Sequence, residues 1–84
     1  MVYRVRIEKR ASKAIENLEH GTRKRVVEAI RRLAKDPYPS GSKKLRDREG
    51  WRIRVGEYRV IYSIIDEELL VLVVKIGHRK DVYR

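Results

Sequence analysis

Three strand-like runs follow one another in the second half of the chain: Trp51 to Val55, Tyr58 to Ile65 and Leu69 to Ile76. Only Gly56-Glu57 and Asp66-Glu67-Glu68 separate them, and gaps of that size are hairpin turns. Upstream, Val2 to Glu8 alternates, with Tyr3, Val5 and Ile7 on one side and Arg4 and Arg6 on the other, the period of a half-buried strand. Ala11, Ala14, Ile15 and Leu18 then recur at helical spacing, in a helix opened at Ala11 or Ser12 and closed at His20-Gly21. A second helix starts with Thr22 as N-cap. It carries Val26, Val27, Ile30, Leu33 and Ala34 on one stripe, and stops before Asp36-Pro37. Asp36 to Gly50 gathers both prolines, two glycines and a basic cluster, and reads as a long solvated loop. The expected fold is therefore α+β, in the order β-α-α-β-β-β, with a helical hairpin on one face of an antiparallel sheet.

With 84 residues the chain is expected to form one domain, residues 1–84, too small for a second core. It has no cysteine, which removes disulfides and thiolate chemistry. His20 and His78 are too few for a zinc centre, so no metal and no cofactor are expected. The longest apolar run, Leu69 to Val74, is far short of the roughly 20 residues of a membrane span, and Met1 leads into a strand rather than a signal peptide. A reducing, cytoplasmic location fits these absences. Lys and Arg outnumber Asp and Glu by 22 to 12, a net charge of +10 that points to a polyanionic partner, with nucleic acid first.

A two-residue turn at Gly56-Glu57 sets Val55 opposite Tyr58, Arg54 opposite Arg59, Ile53 opposite Val60 and Arg52 opposite Ile61. One face then holds Trp51, Ile53, Val55, Tyr58, Val60, Tyr62 and Ile64, and must lie under the helices. The other holds Arg52, Arg54, Arg59, Ile61 and Ser63. Like charges facing each other across a ladder are destabilising, and a bound polyanion would offset that, because guanidinium groups grip phosphate oxygens in pairs. In the C-terminal segment His78 and Tyr83 can both move protons, Tyr83 only if neighbouring cations lower a pKa that starts at about 10. A two-residue second turn would put even-numbered residues of the last strand on the arginine face, and a three-residue turn odd-numbered ones. Both remain open.

The segment Trp51-Arg-Ile-Arg-Val-Gly-Glu-Tyr-Arg-Val-Ile-Tyr62, then Ile65-Asp66-Glu67, then Gly77-His-Arg-Lys-Asp-Val-Tyr83, resembles the C-terminal half of the RelE/ParE toxin superfamily. Lys44-Leu45-Arg46, the helical hairpin and the strand order match as well, so the resemblance covers essentially the whole chain. It implies a type II toxin that enters the ribosomal A site and cuts mRNA there without a metal: the ribose 2′-OH attacks the adjacent phosphate, leaving a cyclic phosphate and a free 5′-OH. By position it implies basic catalytic residues at Arg52 and Arg54, a scissile-phosphate ligand at Arg59, a group assisting the leaving oxygen at Arg79, and a general base that also stacks on a base at Tyr83. Arg46 matches a basic loop position for RNA or ribosome contacts, and Lys43, Lys44, Arg48 and His78 join it as RNA-binding candidates. RelE has lysines where this chain has Arg52 and Arg54. Arginine, with a pKa above about 12, accepts no proton, so proton transfer rests on Tyr83 or His78.

The resemblance also implies a cognate RelB-like antitoxin with an acidic toxin-binding segment, placed either over the arginine face or in place of the C-terminal segment. The ribosome and its mRNA are the other implied partners. Two other functions fit the same pattern: a ParE-like toxin that inhibits DNA gyrase without cutting RNA, and a non-catalytic RNA-binding module.

Overall fold

The chain's computed structural model describes residues 2–80. Its elements are β1 (Arg4–Ile7), α1 (Lys9–Glu16), α2 (His20–Leu33), β2 (Lys43–Lys44), β3 (Trp51–Val55), β4 (Tyr58–Ile65), a 3-10 turn (Asp66–Glu68) and β5 (Leu70–His78). The strands form one sheet in the order β1-β5-β4-β3-β2. The α+β fold with a helical hairpin on one face is as the sequence predicts, but the sheet is mixed. β1 lies at its edge, parallel to β5, because two helices intervene before the chain returns to the sheet. A fifth strand, β2, forms within the stretch expected to be loop, where Lys43 and Lys44 pair with Arg52 and Trp51.

The apolar stripes of the helices explain what they cover. Ala11 and Ile15 of α1 and Val26, Ile30 and Leu33 of α2 are buried against Ile53, Val55, Val60, Tyr62, Val71, Val73 and Ile76. Leu33 is fully buried, so Leu33→Ala would cost about 2–5 kcal/mol. The start of α2 departs from expectation. The cap is Glu19 rather than Thr22: its carboxylate accepts from the amides of Gly21 (2.9 Å) and Thr22 (3.2 Å) and from the Thr22 hydroxyl. These donors at a helix N-terminus hold the Glu19 carboxyl below the usual range.

Three tyrosines gather at the end of the sheet away from the β3–β4 turn. The buried Tyr62 hydroxyl donates to the Pro37 carbonyl at 2.9 Å, tying the segment after α2 to β4, and burial pushes its pKa up to about 12. Asp66, in the β4–β5 turn, accepts from Tyr3 at 2.6 Å and Tyr38 at 3.2 Å; the first of these bonds lifts Tyr3 to about 12. Tyr38 also meets Trp51 edge-on, with ring centroids 5.0 Å apart.

β5 contains a bulge. Ile61 pairs with Lys75 but Tyr62 pairs with Val73, so Val74 is the extra residue. Buried Val71 and Val73 precede it and buried Ile76 follows it, so the strand keeps its apolar side under the helices while its parity changes. Among the described residues no helix is long and apolar enough to cross a membrane.

Candidate functional site

The β3–β4 hairpin has the predicted register: Val55 faces Tyr58, Arg54 faces Arg59, Ile53 faces Val60 and Arg52 faces Ile61. Gly56 sits at φ +59 and Glu57 is not left-handed, the pattern of a type II′ turn, which needs glycine first. Alternation then turns Ile53, Val55 and Val60 to the core and Arg52, Arg54 and Arg59 to the helix-free face. Arg54 is exposed, while Arg52 and Arg59 are half-buried.

Cross-strand pairing extends this face in both directions. One row runs Lys43, Arg52, Ile61, Lys75, and the next Arg54, Arg59, Gly77. Gly77 adds no side chain beside Arg59. On the far side, Arg4 and Arg6 pair with Leu70 and Leu72 and stand on the same face. No strand position on this face carries a carboxylate. Lys75 was missed from sequence because the bulge carries it there. The signal was present: the apolar positions Val71, Val73 and Ile76 step by two and then by three.

The parity of the last strand is settled by two features. The β4–β5 connection spans four residues, Asp66 to Leu69, with Leu69 left-handed at φ +49, and the bulge then flips the alternation. His78 consequently pairs with Tyr58 and stands on the opposite side from the arginines. Its ring meets that of Tyr58 edge-on at 5.7 Å, and its Nδ1 accepts from the Lys80 amide. The geometry does not bring His78 to the arginine face.

Arg79 follows β5 and is anchored beside that face. Its amide donates to the Glu57 carbonyl at 2.8 Å, its carbonyl accepts from Arg59 Nη1 at 3.2 Å, and its Nε lies 2.9 Å from Glu57 Oε2. Tyr83 lies outside the described residues.

The basic loop forms a cavity of about 630 Å³ at the β2–β3 edge. Lys43, Lys44, Arg46, Arg48 and Arg52 line it with Leu45 and one acid, Asp47. Lys44, paired with Trp51, stands on the other side of the sheet from Lys43. The loop is closed by the Leu45 amide donating to the Gly50 carbonyl at 3.0 Å. Gly50 is required there, since its φ is +129 and a Cβ would lie 3.2 Å from Leu45 Cδ1 and 3.3 Å from the Tyr62 carbonyl oxygen. Arg52 Nη1 is buried without a hydrogen-bond partner among the described residues. A buried guanidinium nitrogen left unpaired is costly, and a bound anion would satisfy it.

Arginines fixed on a rigid sheet can hold a phosphate and stabilise added negative charge on it, but none can take a proton. That division of labour suits electrostatic catalysis with the proton acceptor supplied elsewhere.

Comparison with known proteins places this geometry. The family described as ParE toxin of type II toxin-antitoxin system, parDE, matches residues 5–83. Toxin RelG of Mycobacterium tuberculosis is 34% identical over 86 residues, covering 100% of this chain and 99% of that protein. The archaeal RelE-RelB complex from Pyrococcus horikoshii superposes with a TM-score of 0.85 at 31% identity, covering 98% of this chain and all of the other. The toxin-antitoxin complex RelBE2 from Mycobacterium tuberculosis gives a TM-score of 0.82 at 32% identity, with 96% and 95% of the two chains covered. The chain belongs to the RelE/ParE superfamily of toxins from type II toxin-antitoxin systems.

Proposed function

We propose that this toxin is an endoribonuclease that cuts mRNA in the ribosomal A site and so stops translation. The observation that carries the reading is the carboxylate-free sheet face on which Arg54 stands opposite Arg59, with Arg52 and Lys75 in the adjoining row. Arg59 holds the scissile phosphate there. The 2′-OH gives up its proton and attacks phosphorus, the bond to the 5′-oxygen breaks, and that oxygen takes a proton, leaving a cyclic phosphate and a free 5′-OH. Arg52 and Arg54 stabilise the added charge of the pentacoordinate state, and Arg79 assists the leaving oxygen. The register sets His78 on the opposite side of the sheet from Arg52, Arg54 and Arg59, so Tyr83 is the sequence candidate we assign as the proton acceptor. In this reading the chain's own residues carry the reaction without a metal.

The partners in this reading are the ribosome with its message and, for control, a RelB-like antitoxin. Two of the related structures are complexes with an antitoxin, and a net charge of +10 favours an acidic toxin-binding segment. A second reading, inhibition of DNA gyrase, is kept by the family match, which carries the ParE name. Incubation with translating ribosomes and mapping of mRNA ends separates the two. Cleavage within A-site codons supports the nuclease; intact message together with inhibited supercoiling supports the gyrase reading.

A further inference from the structure

Glu57 is the second residue of the β3–β4 turn, and basic side chains approach it. Arg79 Nε lies 2.9 Å from its Oε2, His78 Nε2 lies 3.9 Å from the same oxygen, and the Arg25 guanidinium of α2 would lie 3.7 Å from a Cβ at the neighbouring Gly56. The turn also holds the backbone of Arg79. The Glu57 carbonyl accepts the Arg79 amide at 2.8 Å, and the Arg79 carbonyl accepts from Arg59 Nη1 at 3.2 Å. The main chain at position 79 is thus held by two bonds that do not involve the Glu57 side chain, whereas the direction of its guanidinium depends on the carboxylate.

We infer that Glu57 is a positioning residue that aims Arg79 at the RNA phosphate by engaging Nε and leaving the Nη edge of the guanidinium for a second anion. The inference rests on the nuclease reading of this face. A guanidinium offers five N–H donors in a planar fork, so an acid bound at Nε leaves donors for a phosphate oxygen along the outer edge. The Glu57 carboxylate meets the Arg79 guanidinium at Nε. Both side chains are about half exposed, so the pair adds little to stability; its effect is on orientation. An arginine held this way is ready for the developing charge on the leaving oxygen, and an unheld one must be ordered at each turnover.

The test uses the full-length toxin with translating ribosomes. Arg79→Ala should slow cleavage about 100-fold, and Glu57→Gln should lower the maximal rate about tenfold while KM stays within about twofold. The double variant Glu57→Gln/Arg79→Ala should be no slower than Arg79→Ala, because Glu57 acts only through Arg79. In the free protein, the Arg79 Nε–Hε NMR signal should be protected in the wild type and in Glu57→Asp, and lost to exchange in Glu57→Gln. Inorganic phosphate should move the Nη signals without releasing Hε.

A Glu57→Gln variant that cuts at the wild-type rate, or a double variant slower than Arg79→Ala, overturns the inference and leaves the nuclease standing. Release of Hε by phosphate also overturns it, since Glu57 would then be a competitor and not a guide. Wild-type cleavage by Arg79→Ala removes the assigned role of Arg79 and the inference with it.

Discussion

Arg54 and Arg59 face each other directly across the β3–β4 ladder, one pair in from the turn. Counting from the hydrogen-bonded Val55–Tyr58 pair, theirs is a non-hydrogen-bonded pair, in which side chains lie closer together. Two guanidiniums at that spacing repel, so the fold keeps them at a cost in stability. Arg54→Thr should therefore raise Tm by about 2–5 °C at low salt while cleavage falls. Thermal melts at two ionic strengths check the origin of the gain, which should fade near about 1 M salt.

Arg59→Ala should abolish detectable cleavage, a loss of at least about 100-fold, because no other side chain occupies its place between Arg54 and Gly77. Arg52→Lys should be tolerated or more active, since lysine keeps the charge and can also exchange a proton. Primer extension on ribosome-bound message measures both.

Tyr62 makes an alkaline prediction. Its folded pKa, raised to about 12, exceeds the unfolded value of about 10, so the folded state holds the phenolic proton more tightly. The resulting stability is complete below about pH 10 and is lost as pH rises toward about 12. Tyr62→Phe removes the bond to Pro37, should cost about 1 kcal/mol at neutral pH, and should make denaturant midpoints decline less steeply above about pH 10.

Gly50→Ala should destabilise by about 1–3 kcal/mol, because φ +129 is strained for an L side chain and a methyl group would crowd Leu45 and the Tyr62 carbonyl. Urea unfolding reads the loss. RNA binding should weaken as well, since the same glycine closes the loop that lines the basic cavity.

The cavity residues should differ from the arginine face in what they contribute. Replacing Lys43, Arg46 or Arg48 singly by Ala should weaken single-stranded RNA binding at all sequences and reduce the salt slope by about 0.7 per charge. Filter binding across a salt series measures the slope. A variant that loses affinity with no change in slope would mean that its cation does not meet a phosphate.

Much of the site was legible because short-range chemistry fixes it. Gly56-Glu57 dictates a two-residue turn, the turn dictates register, and register puts Arg52, Arg54 and Arg59 on one face. The same logic failed on β5, where a bulge, set by packing of Val71, Val73 and Ile76 under the helices, moves Lys75 to the arginines and His78 away. It failed again for β1, whose parallel partner lies 66 residues away in sequence, between Arg4 and Leu70, with no local signal. Glu19 displaced Thr22 as the helix cap because a carboxylate that reaches two amides and a hydroxyl outcompetes one hydroxyl, a choice visible only with coordinates.

The extra residue in β5 sets which side chains of that strand share the arginine face. Without the bulge Val74 would pair with Ile61 and Lys75 with Val60, which would turn Lys75 toward the helices and give His78 the parity of the arginine face. One unpaired residue thus decides which of these two side chains stands with the arginines.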